Sequence, residues 1–320
     1  MAHLIDFTNA RANMAYVGET PWHGLGQKLT EDAPIEVWAK EAGMEHEIKR
    51  SHVEFTLPNG DHGFMDDKQV LYRSDNNMAL AVVSAKYQVV QPMEVLEFYR
   101  DLVNSTGEYQ LETAGCLDDG RKYWALARHK DTMNFGGDIV KPYLMLASSA
   151  DGTMATIAQH TSVRVVCNNT LQMSLHDKQH AVKVSHKTKF DAETVKQQLG
   201  VIETIDQYKT DVELLINKAI SKAQAAEIFV EMIAKRDKHG NINNEKAVKR
   251  VVGEIMDSLM NGPGANLQSS VNTAWGAMNA VTHYVDFKAR AHSQNNRFSS
   301  GQFGLGADLK QKAFEYLVAA

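Results

Sequence analysis

Apolar residues along this 320-residue chain recur with two periods, and the change between them falls near residue 188. Before that point the pattern is mainly that of strands. His46–Leu57, Gln69–Arg73 and Met78–Ser84 are β-prone runs set apart by the turn residues Pro58-Asn59-Gly60-Asp61 and Asp75-Asn76-Asn77. Asp118-Asp119-Gly120 joins Tyr109–Cys116 to Lys122–His129, and Asp151-Gly152 joins Lys141–Ser148 to Met154–Val166, so each pair predicts a hairpin. Two helices interrupt these strands. One lies within 30–43, between the start signal Thr30 and the stop signal Gly43. The other, Pro92–Asn104, has apolar Met93, Val95, Leu96, Phe98, Tyr99, Leu102 and Val103. From Phe190 the spacing lengthens to three and four. Val195, Leu199, Ile202, Ile205, Tyr208, Val212, Leu215 and Ala219 predict a long amphipathic helix. Ala223–Ala234, Glu245–Met260, Asn266–Ala291 and Leu309–Leu317 continue helical, separated by Asp237–Asn244, by Asn261-Gly262-Pro263-Gly264 and by the Gly/Ser/Asn-rich loop Ser293–Asp308. Strands followed by helices predict an α+β fold. An antiparallel sheet with hairpins and flanking helices is expected over 1–188, and a mainly helical region over 189–320. No internal repeat is evident.

Composition narrows the class. With 43% hydrophobic, 23% charged and 8% aromatic residues the chain is not of the disordered type. No apolar run approaches the roughly 18 residues of a membrane-spanning helix, so no membrane association is expected. Met1–Asp6 lacks the basic flank and apolar stretch of a signal peptide. The two cysteines, Cys116 and Cys167, are far apart and without ligand spacing, which argues against a disulfide scaffold or zinc ribbon and for a cytoplasmic location.

Charge changes the picture once it is resolved along the chain. The net −5 combines three regions. Residues 1–120 hold 9 basic and 20 acidic side chains (−11), residues 121–189 hold 10 and 4 (+6), and residues 190–320 balance at 15 each. A basic middle is compatible with an anionic partner.

Several candidate chemistries are weak. His176 and His180 have the four-residue spacing of a helical zinc pair, but no third ligand is near, and they read as solvated loop histidines. The glycines of Gly24-Leu25-Gly26 and of Gly301-Gln302-Phe303-Gly304-Leu305-Gly306 do not follow a strand or end in Gly-Lys-Ser/Thr, so they read as loops and not as a phosphate cradle. Cys167 alternates with Val163 and Val165 and reads as a buried small hydrophobe. No catalytic residue, metal or cofactor is assigned.

The basic middle is more specific. Val182 and Val184 alternate with Lys183, Ser185 and Lys187, which predicts a half-buried strand with an outer face of amines and hydroxyls. Arg164 shares a strand face with Ser162 and His160. Arg121-Lys122-Tyr123-Trp124 and Arg128-His129-Lys130 bracket another strand. Cations for phosphates beside rings for bases are what a sequence-tolerant single-strand groove requires. A solvated sheet face with Tyr123 and Trp124 in the core is the competing reading.

Further motifs carry a resemblance. Trp22-His23-Gly24-Leu25-Gly26, Lys86-Tyr87-Gln88-Val89-Val90-Gln91, Lys141-Pro142-Tyr143-Leu144, Ser149-Ala150-Asp151-Gly152-Thr153 and Val163-Arg164-Val165-Val166-Cys167-Asn168-Asn169-Thr170-Leu171 run through the chain. Thr273-Ala274-Trp275-Gly276 and Thr282-His283-Tyr284-Val285-Asp286 follow near the C-terminus. Together they are similar to the phage/plasmid-like proteins of domain-of-unknown-function family 932. Ala150 stands where that family usually has histidine before Asp-Gly, so no catalytic role is carried over to this position. The hairpins, helices and basic sheet face also resemble phage single-strand annealing proteins of the RecT, Red-beta and Erf type. That likeness is at the level of fold, which does not fix function. It implies an ATP- and metal-independent protein acting on single-stranded DNA as a homo-oligomeric ring or filament.

The sequence therefore leads to a mobile-element single-stranded DNA-binding protein that promotes annealing in recombination. Arg121, Lys122, Lys130, Arg164, Lys183 and Lys187 are expected on phosphates, and Tyr123 or Trp124 on bases. Asn168, Asn169 and Thr170 either donate to the strand or form an Asx turn and helix cap. The alternative is a protein–protein module, an adaptor or inhibitor of a host system, carried by the C-terminal helices and without DNA affinity. A small-molecule enzyme would instead gather His23, Tyr87 and His283 into a pocket.

Overall fold

The computed structural model describes residues 5–8, 10–20, 24–164, 169–172, 181–199, 203–292, 297, 300–301 and 304–319, with the backbone alone at 8, 105, 164, 169–172 and 203–204. The strands are β1 (Phe7–Thr8), β2 (Arg11–Ala12), β3 (Met14–Tyr16), β4 (Gln27–Lys28), β5 (Ile48–Thr56), β6 (His62–Arg73), β7 (Ala79–Ser84), β8 (Tyr109–Leu117), β9 (Lys122–His129), β10 (Met133–Phe135), β11 (Asp138–Ser149), β12 (Thr156–Arg164), β13 (Asn169–Gln172) and β14 (Ala181–Val184). The helices are α1 (Ile35–Glu41), α2 (Pro92–Thr106), α3 (Ala192–Leu199), α4 (Glu203–Asn217), α5 (Lys222–Ile233), α6 (Glu245–Asn261), α7 (Ala274–His283) and α8 (Leu305–Ala319). A π-helical turn, Tyr284–Lys288, follows α7. The fold is α+β, with a helical C-terminal region.

Two compact units are distinguished. The first comprises Met1–Lys130, Tyr143–Gln159 and Ala181–Leu199; the second comprises Asp131–Pro142, His160–His180 and Gly200–Ala320. The division is not collinear: its limits fall within β11 and β12, and α3, beyond residue 188, groups with the first unit.

In the first unit the strands order as β4-β3-β8-β9-β11-β12-β14. The β3–β4 pair is parallel, while β3–β8, β8–β9, β9–β11 and β12–β14 are antiparallel. α2 lies on β8 and β9. Its start is over-determined. Pro92 occupies the first turn, and Gln91 and Glu94 form a capping box in which Glu94 Oε2 accepts the Gln91 amide at 2.6 Å. Gly107, at φ 63°, stops it. Val95, Leu96, Phe98, Tyr99 and Leu102 are buried, as their spacing predicts. The Tyr99 hydroxyl reaches carbonyls on two strands, Ala125 O at 2.8 Å and Leu144 O at 3.0 Å. A separate three-stranded sheet has the order β5-β6-β7.

The second unit is organised around α7, which is buried from Ala274 to Thr282. Its motif is structural. Thr273 caps the helix by accepting the Gly276 amide at 3.0 Å, and Trp275 Nε1 donates to buried Asp138 Oδ2 at 2.9 Å. Gly276 is required by close approach, since a Cβ there would stand 2.0 Å from Ser270 O. Two expectations are corrected here. The helix expected over 266–291 begins at Ala274, after the turns that follow Gly262-Pro263-Gly264. Leu305–Asp308, expected in a loop, form the first turn of α8.

Candidate nucleic-acid interface

The turn Asp118-Asp119-Gly120 sets the start of β9, where two expected phosphate contacts lie. Its residues have positive φ of 60°, 58° and 79°. Gly120 suits its left-handed φ of 79°, and a Cβ there would stand 2.5 Å from Arg73 Nη1, which would have to shift. Buried Arg73 braces the turn by donating to Asp119 O at 3.2 Å while gripping Asp75 through Nε at 3.0 Å and Nη2 at 2.8 Å. Asp6 Oδ1 accepts the Asp119 amide at 2.5 Å. Asp6 Oδ2 is buried without a hydrogen-bond partner, and burial raises the carboxyl pKa to about 6.

This raised value couples stability to pH. The folded state favours neutral Asp6, so the stabilisation is full below about 3.8 and is lost as pH rises to about 6. Asp6→Asn removes the titration. Its stability relative to the parent should therefore increase by about 2–3 kcal/mol between pH 4 and pH 7. Urea unfolding at the two pH values measures this, and a pH-independent difference would contradict it.

The same turn neutralises Arg121 and Lys122. Arg121 Nε donates to Leu80 O at 3.2 Å, and its Nη1 lies 3.3 Å from Asp118 O and 3.4 Å from Asp119 Oδ2. Lys122 Nζ sits 3.4 Å from Asp118 Oδ2 and 3.5 Å from Asp151 Oδ2. Tyr123 is fully buried and its hydroxyl donates to Val90 O, which corrects the expectation that its ring stacks on bases. It shares the buried face of β9 with Ala125, Ala127 and His129. Trp124, on the opposite face, is half-buried against Ile5, Ala12, Met14 and Leu117. Lys130 is exposed beyond the end of the strand.

His160 and Ser162, expected to share the Arg164 face of β12, are buried, and Ser162 Oγ lies 2.7 Å from Tyr208 Oη. Asn169 and Thr170 pair with Arg164 and Val163 across β12–β13, so they are strand residues and not the turn or helix cap that was the other expectation. Asn168, Cys167, His176, His180 and His23 fall outside the described residues.

The exposed cations gather at β14. Val182 is buried, Val184 half-buried and Lys183 exposed, the alternation read from the sequence. The strand ends at Val184, so Lys187 stands on the following turn, closed by Thr188 N donating to Ser185 O at 2.8 Å. His186 turns inward. Its Nδ1 lies 2.8 Å from Gln88 O and its Nε2 3.0 Å from Met154 O, and its ring stacks on Tyr87 at 4.3 Å. Gln88 N donates to His186 O at 2.6 Å, and the Tyr87 hydroxyl to Ser149 O at 2.9 Å. The Lys-Tyr-Gln and Ser-Ala-Asp-Gly-Thr motifs thus build one junction with this turn.

That junction ties the loop that carries exposed Lys86 to the turn that carries exposed Lys187, and Lys189 is exposed two residues on. Residues 181–190 contain no Asp or Glu. Lys86, Lys183 and Lys187 have no ion-pair partner among the described residues. Sequence reasoning misses Lys86 because it lies in an acidic region of the chain.

Tyr87 and His283, the enzyme candidates, belong to different units. His283 Nδ1 lies 3.1 Å from Ser258 Oγ beside a cavity of about 10 Å³, room for about one water. Among the described residues no cluster of His, Cys, Asp and Glu could hold a metal ion, and no helix is long and apolar enough to cross a membrane.

Comparison with curated proteins and with solved structures gives no match. A family profile described as a domain of unknown function (DUF932) matches residues 79–301, more than two thirds of the chain. That span holds β14, the Lys86–Gln91 loop and the α7 motif, and this chain belongs to the DUF932 family.

Proposed function

We propose that this protein binds single-stranded DNA and promotes annealing of complementary strands, without ATP or a metal, as a cytoplasmic homo-oligomer serving a phage or plasmid. The reading is supported above all by the exposed lysines Lys86, Lys183, Lys187 and Lys189 at the β14 edge, where no acidic residue intervenes between Ala181 and Phe190. Flexible ammonium groups on an exposed edge suit a phosphate backbone and select no base, which is what annealing of arbitrary sequences needs. Lys130 is exposed as well, whereas Arg121 and Lys122 would have to exchange internal carboxylates for phosphate and so contribute less.

The test follows annealing of two complementary oligonucleotides, one with a fluorophore and one with a quencher, in chelator and without nucleotide. Accelerated quenching is the expected result. An unchanged rate at saturating protein would overturn the annealing role. Absence of any oligonucleotide affinity would leave the protein–protein module as the reading.

A further inference from the structure

We propose that the tip of the β5–β6 arm docks on the basic surface of residues 235–250 in a second copy of this chain, giving a head-to-tail contact. This deepens the oligomeric part of the reading above and rests on that part alone.

The arm is a two-stranded ribbon that outruns its sheet. β7 pairs with Lys68–Tyr72 only, whereas β5 and β6 continue past a bulge at His52/Glu54 to pair Glu54–Thr56 with His62–Phe64. At the tip Phe55, Leu57, Phe64 and Met65 are exposed at 46%, 40%, 61% and 41%. The register puts Phe55, opposite Gly63, on one face with Met65, and Phe64, opposite Glu54, on the other, so the projecting hairpin is apolar on both faces, which marks an interaction element. The Phe55 ring lies over Gly63, where a Cβ would stand 2.5 Å from it. Glu54, Asp61, Asp66 and Asp67 are all exposed there; Glu54 lies against His62 and Asp67 Oδ2 stands 3.8 Å from Lys68 Nζ, while Asp61 and Asp66 have no cationic partner among the described residues. An acidic apolar tip is repelled by nucleic acid and by a second identical tip. It calls for a basic protein surface.

The chain supplies one. Residues 235–250 hold six Lys and Arg against two acids. Arg236 is engaged with Glu231 and Gly240 O, and Asp237 is tied up accepting the His239 and Asn241 amides at 2.8 and 2.9 Å. Lys235, Lys238, Lys246, Lys249 and Arg250 remain exposed, with no side-chain partner among the described residues. Lys246, Lys249 and Arg250 share the outer face of α6, opposite buried Val248, Val251 and Ile255. Half-buried Ile242 and Ala247 give apolar surface between the cations. An opposite-charge contact between different patches is heterologous, which generates rings or filaments.

Sedimentation of the full chain without nucleic acid tests this. The parent should form species larger than one chain that dissociate as salt is raised. Asp66→Lys with Asp67→Lys, and separately Lys246→Glu with Lys249→Glu, should each weaken association at least about tenfold. Mixing the two variants should restore it, because reversed tip then meets reversed patch. A parent that is monomeric at low salt, an arm variant that associates like the parent, or a mixture that fails to recover overturns the proposal. So does a patch variant that stays oligomeric but loses oligonucleotide affinity, which would make the patch a nucleic-acid surface. Salt-dependent oligonucleotide binding by a monomer would overturn this contact and leave the DNA reading standing.

Discussion

Replacing Lys310 with methionine is expected to destabilise the helical unit by about 3–5 kcal/mol. Lys310, on α8, is 2% exposed, and its Nζ meets Asp286 Oδ1 at 2.6 Å. Asp286 lies in the π-helical turn after α7 and is itself 11% exposed on its side chain. Methionine fits the space of the lysine stem, so packing changes little. What it leaves is a carboxylate in a poorly hydrated site without its cation. The double variant Lys310→Met/Asp286→Leu removes both charges and should recover most of the loss. Chemical unfolding of the two variants decides the matter. A single variant within about 1 kcal/mol of the parent would mean that water reaches the pair and that α8 is held by apolar contacts such as Phe314 and Leu317.

The second large effect is on binding. Lys183→Glu with Lys187→Glu should lower affinity for single-stranded DNA about 30- to 100-fold at low salt, since two attractions become two repulsions at one edge. Both side chains are exposed, and the β12–β14 pairing uses backbone groups, so thermal stability should change little. Arg121→Glu is the informative contrast. It removes hydrogen bonds to Leu80 O and Asp118 O, so stability should fall more than affinity. Unaltered affinity in the lysine variant would clear the β14 edge of any part in binding.

Elements with a strong local period were legible in the sequence. The α2 helix, the β8–β9 hairpin and the β14 alternation all follow from spacing and turn chemistry. Other features were hidden for physical reasons. β1 to β4 are two or three residues long, too short for a period to show. Tyr123 and Trp124 are neighbours in a strand and so face opposite ways; that alternation, rather than their shared aromaticity, decides their fates. Arg121 and Lys122 counted as basic until the turn beside them folded Asp118 and Asp119 back onto them. The cations of 235–250 vanished in a region whose sum is zero, because charge pairs by proximity in space and not by averages over a hundred residues. A window of one loop and two helical turns would have found them.

In the proposed function a lysine edge built by β14 and the Lys86–Gln91 loop holds a phosphate backbone. Fluorescence anisotropy of a labelled single-stranded oligonucleotide, titrated at about 50 mM and about 200 mM salt, tests it most directly. Four phosphate contacts predict a log–log slope of about −2.8 and about 50-fold weaker binding at the higher salt; the Lys183→Glu/Lys187→Glu variant should show about half that slope. No binding at the lower salt, or affinity that does not depend on salt, would contradict the claim.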